Sequence, residues 1–124
     1  MLVESNVDMQ NILRDNLKRK GFRVLVFSDP DRATSRFDQD DRPADCIVFS
    51  TEDLGESAVV AFNQFAVHPR CKNVPAALLL GDHHGDWRKD ARVADHRAVI
   101  QMPIRLNAFC GIVKKLAERK KNGE

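Results

Sequence analysis

The chain has 124 residues, 43% of them hydrophobic, and a net charge of +2 from 20 basic and 18 acidic side chains. That length and composition describe one globular domain with its own core and exclude a disordered chain. The charge balance gives no support to nucleic-acid binding, and no apolar run reaches the roughly 20 residues that cross a bilayer. Three cysteines without CxxC spacing argue against a disulfide framework or a zinc site. With no basic, apolar leader at Met1–Glu4, the expectation is a cytoplasmic protein.

The first short apolar run, Leu2-Val3, predicts a strand. Met9, Ile12, Leu13 and Leu17 then recur at helical spacing, with Asn6 or Ser5 as cap and Gly21 after the basic end Lys18-Arg19-Lys20. Arg23 to Phe27 predicts a second strand. Ser28-Asp29-Pro30-Asp31 is a helix start, and Ala33 and Phe37 mark the buried side of that helix. Asp45 to Ser50 is a third strand, apolar throughout and so buried on both faces. The helix after it turns Val59, Phe62, Phe65 and Ala66 inward.

Ala76 to Leu80 predicts a fourth strand. Gly81-Asp82-His83-His84-Gly85 is a loop, and Trp87 to Ala94 predicts a short fourth helix. Ala98 to Gln101 is the fifth strand, ending at Met102-Pro103. The last helix carries Leu106, Phe109, Ile112, Val113 and Leu116 on one face. Five strands alternating with five helices imply right-handed βαβ units and a parallel sheet covered on both sides. Functional groups of such sheets collect at the carboxyl ends of the strands. Those ends are Glu4-Ser5, Ser50-Thr51, Leu80-Gly81 and Met102-Pro103.

Taken with the segments Leu2–Met9, Lys20–Val24, Pro43–Val48, Val74–Ala76 and Met102–Ile104, this layout resembles the receiver domain of bacterial two-component response regulators. The resemblance implies a (βα)5 flavodoxin-like fold with strand order 2-1-3-4-5. It assigns residues 1–119 to a receiver-like domain and residues 120–124 to a basic tail or linker stub. It also implies positions. The acidic pocket falls on Glu4 and Ser5, the phospho-accepting Asp on Ser50, and the switch hydroxyl on Leu80 or Gly81. The lysine falls on Met102, the aromatic switch on Val99, and the cis-proline on Pro103. Acceptor, lysine, hydroxyl and aromatic switch are all replaced by residues that cannot do their work. A serine hydroxyl is a poor nucleophile without an adjacent base.

The expected function is therefore an atypical, non-phosphorylatable pseudo-receiver in phosphorelay signalling, a protein-interaction module and not an enzyme. One alternative keeps phosphorylation, with Asp53 as a stand-in acceptor and Mg²⁺ as cofactor. Another is a small-ligand binder at the strand ends. No cofactor is expected, apart from weak Mg²⁺ at Glu4 and the loop after Ser50. By resemblance the partner face comprises the fourth helix, fifth strand and fifth helix, where Trp87, Arg88, Arg92, Arg97 and Arg105 stand. Its partner would be a sensor kinase, an output domain or a second copy, with neither nucleic acid nor membrane. Two sets of residues are weighed and left aside: the histidine pair His83-His84, whose ligand set is incomplete, and the cysteines Cys46, Cys71 and Cys110.

Overall fold

A computed structural model describes the backbone of residues 1–122 and the side chains of residues 1–119. The expected tail, residues 120–124, lies outside the residues whose side chains are described. The elements run β1 (Leu2–Val3), α1 (Val7–Arg19), β2 (Val26–Phe27), α2 (Pro30–Gln39), β3 (Ile47–Ser50), α3 (Thr51–Leu54) and α4 (Glu56–Val67). They continue with β4 (Ala76–Leu80), a 3₁₀ segment (Gly85–Asp90), β5 (Arg97–Gln101) and α5 (Leu106–Asn122). All strand pairs are parallel, in the order β2-β1-β3-β4-β5. This is the flavodoxin-like arrangement. Its topological switch point lies between β1 and β3.

Strand alternation sorts the core into two layers. Ile47 and Phe49 of β3 join Ala76, Leu78 and Leu80 of β4 against α2 and α4, where Phe37, Phe62 and Phe65 lie. Val48, Ala77 and Leu79 point the other way, against Leu13 and Leu17 of α1 and Phe109, Val113 and Leu116 of α5. Phe65 meets Phe37 and Phe49 edge-on, with ring centroids 5.2 and 5.6 Å apart. That geometry suits the ring quadrupoles.

Capping explains the helix starts. Asn6 Oδ1 accepts the Met9 amide at 2.9 Å, and Asp29 accepts the Asp31 amide at 2.9 Å behind Pro30. The helix expected after β3 comes in two pieces. Ser50 caps α3, and Gly55, at φ 64°, breaks the chain before α4. Only glycine takes that backbone geometry without strain.

The second strand is shorter than expected, with only Val26–Phe27 paired. The largest departure is the expected helix Trp87–Ala94, which is instead the 3₁₀ segment followed by extended chain at Ala91. Asn63 of α4 is the cause. Its side-chain Nδ2 donates to the Asp90 carbonyl, and its Oδ1 accepts the Arg92 amide, both at 2.8 Å. Those backbone groups are the ones a continuing helix needs for itself. Among the described residues no helix is long and apolar enough to cross a membrane.

Candidate functional site

Glu4 follows the end of β1 and Ser50 ends β3, so both stand at the switch point. They are buried, at 0% and 1% exposure. Ser50 Oγ donates to Glu4 Oε1 at 2.6 Å, and the Asn6 amide donates to Oε2 at 3.1 Å. Ser50 Oγ also accepts the Glu52 amide at 3.4 Å, as the cap of α3. Burial pushes the Glu4 carboxyl above its ordinary 4.5. The Ser50 hydroxyl and the Asn6 and Ser5 amides pull it back down, and the Asp53 charge adds to the rise.

Ser5 stands at the rim of this pair. Its hydroxyl donates to Asp53 Oδ2 at 2.5 Å, so the proposed stand-in acceptor lies beside the acidic-pocket positions. Gln10 closes another side, donating to the Glu4 carbonyl and, at 3.0 Å, to Ser28 Oγ. Among the described residues, no three His, Cys, Asp or Glu side chains group as a metal site. Each Glu4 oxygen already accepts one hydrogen bond, from Ser50 or from Asn6.

Of the two residues expected at the switch-hydroxyl position, Leu80 is buried in the core and Gly81 begins the next loop. The hydroxyl that reaches this loop comes from elsewhere. Thr51, fully buried, accepts the Gly81 amide on Oγ1 at 2.8 Å and lies 2.7 Å from His84 Nδ1. His84 is stacked on Trp87, with ring centroids 4.2 Å apart. The sequence marks Thr51 only as part of a strand end and His84 only as one of a loop pair with an incomplete ligand set, and does not bring the two together. The available signal was the Ser50-Thr51 hydroxyl pair facing a histidine loop across adjacent strand ends. Gln101 completes the seam, donating to the Gly81 and Met102 carbonyls at 3.0 and 2.8 Å.

Met102 packs half-buried against the α1–α5 core layer, and Val99 packs half-buried on the opposite layer. The Met102–Pro103 peptide is cis. Trp87 is half-buried, while Arg88, Arg92 and Arg105 are exposed.

Arg97 corrects the expected surface. It is 4% exposed, with its guanidinium carbon 3.9 Å over the Phe62 ring. Its Nε donates to the Arg92 carbonyl at 2.9 Å and one terminal nitrogen donates to the Phe62 carbonyl, while Nη1 has no partner. Burial, helped by the charge of Arg92, holds its pKa down to about 10. As the first residue of β5 its side chain turns inward under α4, so it is a structural post and no part of a docking face. The cysteines are likewise interior. All three are buried, and burial pushes Cys46 and Cys71 up to about 12, outside the range of a reactive thiolate.

A groove of about 530 Å³ lies outside this site, lined by Ser28, Asp29, Asp31, Leu54, Val60 and Gln64 among others. Leu80, Gly81 and Met102, the residues expected to line a ligand pocket, are not in it.

No protein-family model matches the chain, and no curated protein matches its sequence. Solved structures do match in fold. A response regulator from Thermotoga maritima is 18% identical, with a TM-score of 0.70 and 95% of each chain covered. The signal receiver domain of a histidine kinase from Syntrophus aciditrophicus is 22% identical, with a TM-score of 0.71 over 94% of this chain and 87% of that one. NtrX from Brucella abortus, solved with ADP, is 13% identical, with a TM-score of 0.74 over 98% of this chain. The present chain spans only 26% of NtrX. Agreement of strand order and coverage leads to one conclusion: the chain has the fold of a response-regulator receiver domain.

Proposed function

We propose that this chain is a pseudo-receiver of two-component signalling, a protein-interaction module that works without Asp phosphorylation. The observation that carries this reading is the closed Ser50–Glu4 pair. Where a receiver needs an open carboxylate beside a metal, this chain has a buried hydroxyl bound to a buried carboxyl at 2.6 Å. Glu4 stands within reach as a base, but an incoming phosphoryl donor finds the hydroxyl 1% exposed. Met102 provides no cation to offset charge on the transferring group.

The docking face is the outer side of the 3₁₀ segment, β5 and α5, with Trp87, Arg88, Arg92 and Arg105. Val93, 63% exposed beside Arg92, adds an apolar point. A half-buried tryptophan on elements that carry exposed arginines suits an acidic partner surface on a kinase, an output domain or a second copy.

A second reading rests on the Ser5–Asp53 contact, which brings one carboxylate to the rim of the site. The two readings separate in a titration with Mg²⁺ and beryllofluoride, followed by backbone NMR. Pseudo-receiver chemistry leaves the resonances of Glu4, Ser50, Asp53 and Gly81 in place. Saturable shifts centred on Asp53 favour the second reading.

A further inference from the structure

Between the 3₁₀ segment and β5, one stretch of chain carries a backbone edge that nothing inside the molecule covers. It leaves Ala91 at φ −80° and ψ 131° and reaches the tight turn at residues 94–97. Its inward side is fully used. The Arg92 amide donates to Asn63 Oδ1 at 2.8 Å, and the Arg92 carbonyl accepts Arg97 Nε at 2.9 Å. The Ala94 amide and carbonyl pair with the carbonyl and amide of Arg97, both at 3.1 Å. Val93 stands between them. Among the described residues nothing bonds to its N–H or its C=O, and its side chain is 63% exposed.

In extended chain the amide and carbonyl of one residue point to the same side, and those of its neighbours to the other. Arg92 and Ala94 face α4 and β5, so Val93 turns both of its groups outward. Such an outward pair is what an antiparallel strand engages, exchanging two hydrogen bonds with one opposing residue. The segment is held for that purpose from two sides. Asn63 of α4 also bonds the Asp90 carbonyl, and Arg97 of β5 also bonds the Phe62 carbonyl.

Charge selects the occupant. Arg88, Lys89 and Arg92 are exposed along this stretch against Asp86 and Asp90, while Asp95 is engaged by Arg119 at 3.3 Å. A second copy pairing antiparallel about Val93 would set its Arg92 diagonally across from the first. Like charges across a strand pair are unfavourable. A strand with acidic side chains beside its pairing residue meets Arg92 with the opposite charge.

We infer that Val93 is a strand-addition site. An acidic, extended segment of a partner protein pairs antiparallel with residues 92–94 and exchanges two backbone hydrogen bonds with Val93. This rests on the proposed function, whose docking face it narrows to one backbone position.

The test is NMR of the full chain titrated with the capped peptide Val-Glu-Val-Glu-Val. The expected result is a saturable shift of the Val93 amide, with its hydrogen exchange slowed about tenfold at saturation. Methylating the central amide nitrogen of the peptide weakens binding about tenfold, because one of the two bonds loses its donor. Val93→Pro removes a donor that has no partner inside the chain, so it keeps the melting temperature and weakens the peptide by a similar factor. A Val93 amide that stays still overturns strand addition, as does protection on β2, the sheet edge far from this face, in its place. Equal binding of Val-Lys-Val-Lys-Val overturns the acidic occupant. Shifts at Trp87 and Arg105 with a still Val93 amide overturn strand addition and leave the docking face standing. A Val93 response without change at Trp87, Arg88 or Arg105 supports strand addition and counts against the wider face.

Discussion

At the scale of single residues, the pair Glu4 and Ser50 governs the site. Ser50→Ala removes the hydroxyl donor from a buried carboxyl and the cap from α3. Unfolding in urea should show a loss of about 2–3 kcal/mol. Ser50→Asp, which restores the residue type of a working receiver, sets a second carboxylate against Glu4. Two carboxylates that close cannot both ionise. The variant should be less stable than Ser50→Ala at pH 7 and should recover as pH falls.

The wild type carries a milder form of the same dependence. Burial raises the folded pKa of Glu4 above its ordinary 4.5, so the folded state holds the proton more tightly than the unfolded chain. The contribution to stability is complete below pH 4.5 and is lost as pH rises through the raised value. Glu4→Gln should flatten stability against pH in that window. An unchanged slope would show that another group carries it.

Neither Glu4 nor Ser50 could be paired from the sequence, because 46 residues separate them. Their positions at strand ends were legible; the bond between them needed the β1–β3 pairing. Arg97 was misplaced for a related reason. An arginine before Ala98-Val99 resembles a solvated strand start, and only α4 packed over it reveals the ring of Phe62 beneath the guanidinium. With Nη1 unpartnered and no ion pair to Arg97 among the described residues, desolvation of its charge offsets its two carbonyl bonds and its contact with the Phe62 ring. Arg97→Met, similar in length and apolar, should therefore cost less than about 1 kcal/mol or stabilise the fold, by thermal or urea unfolding. A loss of 3 kcal/mol or more, the size of a broken buried pair, would contradict this.

At the scale of elements, apolar periodicity located every strand and every long helix, because burial against a two-sided sheet imposes that pattern. It failed at residues 87–94, where Trp87, Ala91 and Ala94 repeat at helical spacing. One side chain, Asn63, captures the backbone there and sends the chain along an extended path toward β5. Nothing local to the segment announces this. The break at Gly55 is equally invisible to apolar spacing, since α3 and α4 continue one another in sequence. At φ 64° and ψ −142°, a side chain there is strained even though the space around it is open. Gly55→Ala should cost roughly 1–3 kcal/mol through backbone conformation alone. A neutral result in urea unfolding would mean that the α3–α4 junction relaxes into one helix.

At the scale of the whole molecule, the receiver fold keeps its five-stranded sheet, its two core layers and its cis Met102–Pro103 peptide. At the strand ends a serine bound to a glutamate occupies the switch point, and Thr51, the first residue of α3, lies against a histidine of the loop after β4. The central proposal is a scaffold whose surfaces do the work and whose acceptor position is sealed.

Incubation of the full chain with Mg²⁺ and an acyl phosphate donor, followed by intact-mass spectrometry and peptide mapping, addresses that proposal most directly. The wild type and the Asp53→Asn variant should each remain a single species of the same mass as its own untreated form. A stoichiometric gain of one phosphoryl group that maps to Asp53 and disappears in Asp53→Asn would contradict it.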